Sequence, residues 1–248
     1  MASFDEGFKI GETRRVPRIT AQNLDRPTDG TRNFYDQAAQ SYDADTTGAF
    51  VSATRQRIQD LLSKHAPQPG AVLDFGCGTG IDAAGFAERG WRVLAYDPSE
   101  GMLDRLRDRC AASVANGRVL PVSGGLENLY AALPSFADLG AVVANFGVIN
   151  HLSDLAQFTD LVTVRLPRVQ LIILGVQNPF YFHDLRNGWW WRGLRRGWKT
   201  GAILCDASAI PTRRYFARTL AAALAPAFRQ RAAETLGPMR LLAFARSA

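Results

Sequence analysis

Val72-Leu73-Asp74-Phe75-Gly76-Cys77-Gly78-Thr79-Gly80 sets the frame for the rest of the chain. An apolar run meets an acid, three glycines alternate, and Ile81 to Arg89 follows with helical spacing. This reads as strand, tight turn and helix N-terminus. Glycines there permit unusual backbone angles and let a ligand approach the main chain closely. A dinucleotide loop is spaced G-x-G-x-x-G and faces a pyrophosphate. Here the third glycine comes one residue early, and Asp74 stands just ahead of the glycines. A carboxylate there repels phosphate and suits a cation, such as an amino group beside a sulfonium.

The next strand-like stretch, Trp91 to Tyr96, ends in Asp97. A carboxylate at the C-terminal end of a second strand can take both hydroxyls of a ribose. A ribose holder and an amine-facing acid together fit S-adenosylmethionine (SAM). VLDFGCGTG followed by AYDPSEGM resembles the first two motifs of class I SAM-dependent methyltransferases. The resemblance implies an α/β fold, a doubly wound, Rossmann-like sheet of seven mostly parallel strands ordered 3-2-1-4-5-7-6. It also implies cofactor contacts at Asp74, Gly76, Cys77, Gly78, Gly80, Asp97, Pro98 and Met102. Met102 either lies against the adenine or is ordinary core.

The chain has 248 residues, enough for one large domain or a domain with a cap. Its longest apolar run, near Leu171 to Leu174, is too short to span a bilayer. The first residues lack the apolar stretch of a secretory signal. Cys77, Cys110 and Cys205 have no metal spacing, so no metal is expected, and a reduced, cytoplasmic compartment is the simplest reading. Charge is uneven. Arg186 to Arg240 holds eleven Lys or Arg against two acids. That field suits an acidic partner, or is a solvated surface.

Residues 1–30 read as a polar tail or lid, and 31–248 as the methyltransferase domain. Thr31 to Asp45 carries Phe34-Tyr35-Asp36 and Tyr42-Asp43, with the tyrosines seven apart and so on one helical face. This resembles the F-Y-D…Y-D segment that precedes the core of many small-molecule methyltransferases and folds over cofactor and substrate. On that resemblance Tyr42, and after it Tyr35, touches the methionine end of SAM or the substrate; the alternative is that both pack. Strands are expected at Arg118 to Val122, Ala137 to Ala144 and Val169 to Val176. Ser153 is placed to cap a helix, and Pro211 to Ala225 reads as another. Phe228 to Leu236 and Met239 to Ala245 read as a final antiparallel pair.

Ser123-Gly124-Gly125-Leu126-Glu127 occupies the place of the family's G-D-A-E-x-L segment, whose acid contacts the adenine amino group. Gly125 stands where that acid is usual. The side-chain contact is lost or passes to Glu127, while a backbone contact at Leu126 survives. Asn145-Phe146-Gly147-Val148-Ile149-Asn150-His151 follows the fourth strand, beside the expected position of the methyl group. Asn145 and Phe146 are cofactor candidates there. His151 is the first candidate base, since imidazole can take a proton at neutral pH, or else a hydrogen-bonded structural residue. Residues 176–210 form a long aromatic and basic insert after the fifth strand. Class I methyltransferases often build substrate specificity there, which makes Tyr181 and His183 the next catalytic candidates. Its tryptophans and arginines also suit a lipid headgroup boundary.

The implied activity is methyl transfer from SAM to a small-molecule acceptor, acidic or aromatic, as in natural-product enzymes. Two other classes remain open. One is a SAM enzyme of the same fold that cyclises its cofactor and releases methylthioadenosine. The other is a nucleic-acid or membrane-lipid methyltransferase; against nucleic acid, no D/N-P-P-Y/F tetrapeptide follows the fourth strand. Oligomeric state has no signal in the sequence.

Overall fold

Apolar runs that cannot face water on either side become neighbouring central strands. The computed structural model describes residues 29–46, 48–66, 69–152, 154–205 and 210–247. The elements begin with α1 (Asp29–Ala38), α2 (Tyr42–Asp45), α3 (Ala49–His65), β1 (Ala71–Phe75), α4 (Ile81–Glu88), β2 (Arg92–Asp97), α5 (Glu100–Arg109), α6 (Ala111–Ala115) and β3 (Val119–Ser123). They continue with α7 (Leu126–Ala132), β4 (Leu139–Ala144), α8 (Leu155–Asp160), β5 (Leu171–Gln177), α9 (Gly188–Gly197), β6 (Ala202–Cys205), β7 (Thr212–Tyr215), α10 (Ala217–Leu224), β8 (Phe228–Leu236) and β9 (Met239–Arg246).

The main sheet runs β3-β2-β1-β4-β5-β9-β8, with β9 antiparallel to both neighbours. This is the expected seven-stranded order, reading β8 and β9 as its sixth and seventh strands. Successive strand residues point to opposite faces. Leu73, Leu94 and Val142 therefore join one apolar layer with Leu129 of α7, Phe158 of α8 and Leu220 of α10. Val72, Val93 and Val143 join the other, with Ile58 of α3, Phe86 of α4 and Leu106 of α5. The order switches between β1 and β4, whose connections depart on opposite sides, and a crevice opens beyond their carboxyl ends.

The segment after β5 adds a small second sheet, β6 paired antiparallel to β7. Helix α9 lies on β6. A Cβ at Gly193 or Gly197 would collide with the carbonyl oxygens of Leu204 and Ala202, so only glycine allows this approach. Trp190, Ile203 and Phe216 form the cluster between the layers. The cap is tied to the turn after β4: Asn150 Nδ2 donates to the Arg213 carbonyl at 2.7 Å, and the Tyr215 hydroxyl donates to the Leu152 carbonyl at 2.9 Å.

Three local expectations change. The helix expected from Pro211 starts at Ala217, because Thr212–Tyr215 is strand β7. Tyr35 and Tyr42 do not share one helix; α1 stops at Ala38 and α2 begins at Tyr42, although their rings still meet edge to face at 6.1 Å. Asp154 caps α8, accepting from Ala156 N. Ser153 and residues 1–28 of the expected tail lie outside the described residues.

Candidate active site

The loop after β1 is a run of left-handed turns, with φ of 78° at Gly76, 53° at Gly78 and 80° at Gly80. Gly76 N and Cys77 N both donate to the Tyr96 carbonyl, at 2.7 and 3.0 Å. The end of β2 answers from the other side. Asp97 Oδ2 accepts from Gly78 N and Oδ1 from Ser99 N, each at 2.9 Å. The glycine loop and the second acid are thus one hydrogen-bonded unit. Burial raises the Asp97 carboxyl to about 6, and its two amide donors pull it partly back. Ser99 also caps α5, accepting from Met102 N at 3.1 Å.

A cavity of about 360 Å³ lies beside this unit. Gly76, Cys77, Gly78, Asp97, Pro98 and Met102 face it from the first two motifs. Tyr42, Leu126, Asn145, Phe146 and His151 close other sides. Gly80 and Asp74 are not in the wall. Gly80 turns the chain into α4, and Asp74 is buried beneath the loop.

One end of the cavity rests on a charged cluster of which sequence reasoning found only part. Arg55 of α3 pairs with Asp82 of α4 at 2.8 Å and lies 4.5 Å from the centre of the Phe146 ring. Asp82 Oδ2 also accepts from Asn145 Nδ2 at 2.9 Å. Burial, with Asp82 beside it, pushes the Asp74 carboxyl well above the usual carboxylate range. Asp74 Oδ2 is buried without a hydrogen-bond partner among the described residues. An orphaned buried acceptor is costly, and a cationic donor in the cavity would relieve it.

The N-terminal helices are tied to the glycine loop and to the start of α5 through their acids. Asp36 Oδ1 accepts from the Ser99 hydroxyl at 2.5 Å and from Gly101 N at 3.0 Å. Asp43 accepts from the Thr79 hydroxyl at 2.5 Å and pairs with Arg109. Both acids sit in the Phe-Tyr-Asp and Tyr-Asp pairs, so that pattern carried the signal. Between them Tyr35 Oη lies 3.1 Å from His151 Nε2. Burial lowers the His151 imidazole to about 4, and its Nδ1 has no hydrogen-bond partner among the described residues. Burial likewise raises the Tyr42 hydroxyl to about 12.

At the opposite end Gly124, Gly125 and Leu126 line the wall. Glu127 is exposed, at the start of α7. Its carboxyl carbon lies 2.5 Å from where a Gly125 Cβ would stand. The Glu127 carboxylate therefore fills the space that a side chain at Gly125 would take. We expect Glu127→Ala to weaken nucleoside binding roughly tenfold, the worth of one charge-assisted hydrogen bond. Titration with S-adenosylhomocysteine checks this; unchanged affinity would leave the contact to the backbone alone.

Tyr181 and His183 are not brought to the cavity. Their rings lie 5.1 Å apart in the cap, and His183 is exposed. The turn Phe182–Arg186 is held there by the ion pair of Asp184 with Arg214 of β7. Among the described residues no group of His, Cys, Asp or Glu is arranged to hold a metal, and no helix is long and apolar enough to cross a membrane.

An open α/β sheet, a glycine turn on its first strand and an acid on its second define a nucleoside-binding crevice at the topological switch. Residues 72–164 match the family described as methyltransferase domain. A demethylmenaquinone methyltransferase of Parafrankia sp. (strain EAN1pec) is 30% identical over 180 residues, 66% of this chain and 69% of that protein. A malonyl-[acyl-carrier protein] O-methyltransferase of Serratia marcescens is 43% identical over 78 residues, 32% of this chain and 29% of that one. The chain spans between 20% and 69% of the length of seven curated relatives. In structure it resembles the 1,6-didemethyltoxoflavin-N1-methyltransferase of Burkholderia thailandensis, with a TM-score of 0.61 and 20% identity over 90% of this chain and 91% of that one. The chain belongs to the class I SAM-dependent methyltransferases.

Proposed function

We propose that the protein transfers a methyl group from SAM to a small-molecule acceptor and releases S-adenosylhomocysteine. The observation that carries this reading is the joined unit of glycine loop and Asp97 beside a cavity, with an unsatisfied buried acid, Asp74, beneath the same loop. The cofactor supplies a methyl already activated on a sulfonium, so the protein's task is positioning and exclusion of water.

Asp97 would take the ribose hydroxyls. Asp74 would face the amino group and Arg55, held by Asp82, would balance the carboxylate of the methionine end. Leu126 N and Glu127 would meet the adenine. Tyr35, Tyr42 and Phe146 would wall the acceptor side. Relatives are named for demethylmenaquinone and for malonyl-[acyl-carrier protein], and the solved neighbour for 1,6-didemethyltoxoflavin. An aromatic acceptor suits the aromatic wall of Tyr35, Tyr42 and Phe146, and an acidic one is the alternative the malonyl relative suggests. Incubation with SAM and a panel of both kinds tests the reading. S-Adenosylhomocysteine as product supports it, whereas methylthioadenosine would assign the cyclising chemistry instead.

His151 would take the acceptor's proton. Burial keeps its imidazole neutral at pH 7 while making it a weaker base than an exposed histidine. If it serves as base, His151→Ala lowers kcat by about 10²-fold or more. Turnover at the wild-type rate in that variant would remove His151 from the chemistry. The same shift affects stability. An unfolded histidine titrates near 6.5, above the folded value, so the unfolded state binds more protons as pH falls from about 6.5 towards 4. Stability from this group is therefore complete above pH 6.5 and is lost across that window. His151→Gln should flatten that part of a Tm-against-pH curve.

A further inference from the structure

The cap exposes aromatic rings that the methyl-transfer reading does not use. Phe182 is 67% exposed, Trp191 56%, Trp198 53% and Phe180 49%, while among the other described residues only one large apolar side chain, Val164, is comparably open. Monomeric proteins rarely leave such a cluster uncovered without a partner. These rings are held at the surface by specific contacts. Trp191 Nε1 donates to the Leu185 carbonyl at 3.0 Å. Phe180 stacks on Phe216 with ring centres 5.4 Å apart, and Trp198 meets the same ring edge-on at 5.6 Å. The inner seat is already filled, because Trp190 is buried with its Nε1 donating to the Pro179 carbonyl at 2.7 Å.

Cations are interleaved with them. Trp191 and Arg195 fall at i and i+4 on α9 and so share a helical face, and Trp198 follows in the turn just beyond its end. Arg192 and Lys199 extend it, and all five side chains are exposed. Among the described residues Arg192, Arg195 and Lys199 form no ion pair. The acid nearest in sequence among the described residues, Asp184, is taken by Arg214. The patch therefore attracts an anionic surface, and the rings are ready to enter it. Indole and phenyl rings flanked by exposed Lys and Arg match the headgroup zone of a bilayer, where apolar rings sink below the phosphates. A purely electrostatic partner would need the cations but not four open rings.

We propose that this face of the cap docks the protein on anionic lipid bilayers as a peripheral contact. The proposal stands apart from the methyl-transfer reading, since none of these residues lines the cavity. The test is co-sedimentation with vesicles of phosphatidylglycerol and phosphatidylcholine in equal parts, against vesicles of phosphatidylcholine alone. The wild type should bind the mixed vesicles at least roughly tenfold more, and lose that binding in high salt. Trp191→Ala with Trp198→Ala, and separately Arg192→Glu with Arg195→Glu, should each reduce binding about tenfold or more while far-UV circular dichroism and S-adenosylhomocysteine affinity stay as in wild type. Absence of vesicle binding by the folded wild type overturns the proposal, as does unchanged binding in both folded variants. Binding to an acidic protein or to single-stranded DNA without vesicle binding would also overturn it. If a variant misfolds, fluorescence of the wild-type tryptophans decides: a blue shift with the anionic vesicles supports insertion, and an unshifted spectrum contradicts it.

Discussion

Asp97→Ala lowers affinity for S-adenosylhomocysteine by about 100-fold or more. Two hydroxyl contacts to a charged acceptor account for roughly 3 kcal/mol, and each 1.4 kcal/mol is tenfold. The variant also removes the acceptor for Gly78 N and Ser99 N, so the glycine loop loses its tie to β2. The ligand-induced rise in Tm measures the change. Asp97→Asn separates the two effects, because it keeps a polar group for the loop and removes the charge. A pH series adds a signed check. Burial holds the Asp97 carboxyl near 6 without ligand, and hydroxyl donors favour its charged form. Affinity should be full above about pH 7 and fall as pH drops through 6. A ligand-induced Tm shift in Asp97→Ala equal to that of wild type would contradict the assignment.

Gly80→Ala is the second large effect. Gly80 has φ of 80°, and a Cβ there would lie 2.5 Å from Leu106 Cγ in the core of α5. Left-handed backbone costs a non-glycine residue about 1–2 kcal/mol. Overpacking against a buried leucine adds about 1–3 kcal/mol. Gly117→Ala is the control, since Gly117 has φ of 74° but nothing within 4 Å of its missing Cβ. Urea unfolding of both variants isolates the packing part as their difference. Equal losses would mean that Leu106 simply moves aside.

The five parallel strands were legible because each is a short apolar run beside a turn, and the final pair because Gly237-Pro238 separates two extended runs. Strands β6 and β7 were not. Each has four residues, and Arg213 and Arg214 interrupt any alternation in β7. Their pairing is fixed by α9 and the Gly193 approach, which no local pattern announces. The cofactor half of the site was legible for a chemical reason: Asp74, the glycines and Asp97 are needed at fixed points on two adjacent strands. Arg55 and Asp82 were missed because they meet across two helices, 27 positions apart, and each alone reads as a surface charge. Tyr181 and His183 were placed by composition, and composition does not give direction. The ion pair of Asp184 with Arg214 holds their turn in the cap.

Calorimetric titration of the wild-type protein with SAM and with S-adenosylhomocysteine tests the central claim most directly. Saturable binding of both, at one molecule per chain, is expected from protein shown to be folded. Heat indistinguishable from dilution with both ligands would contradict it, because the loop, Asp97 and the cavity would then be present without the binding they are argued to perform.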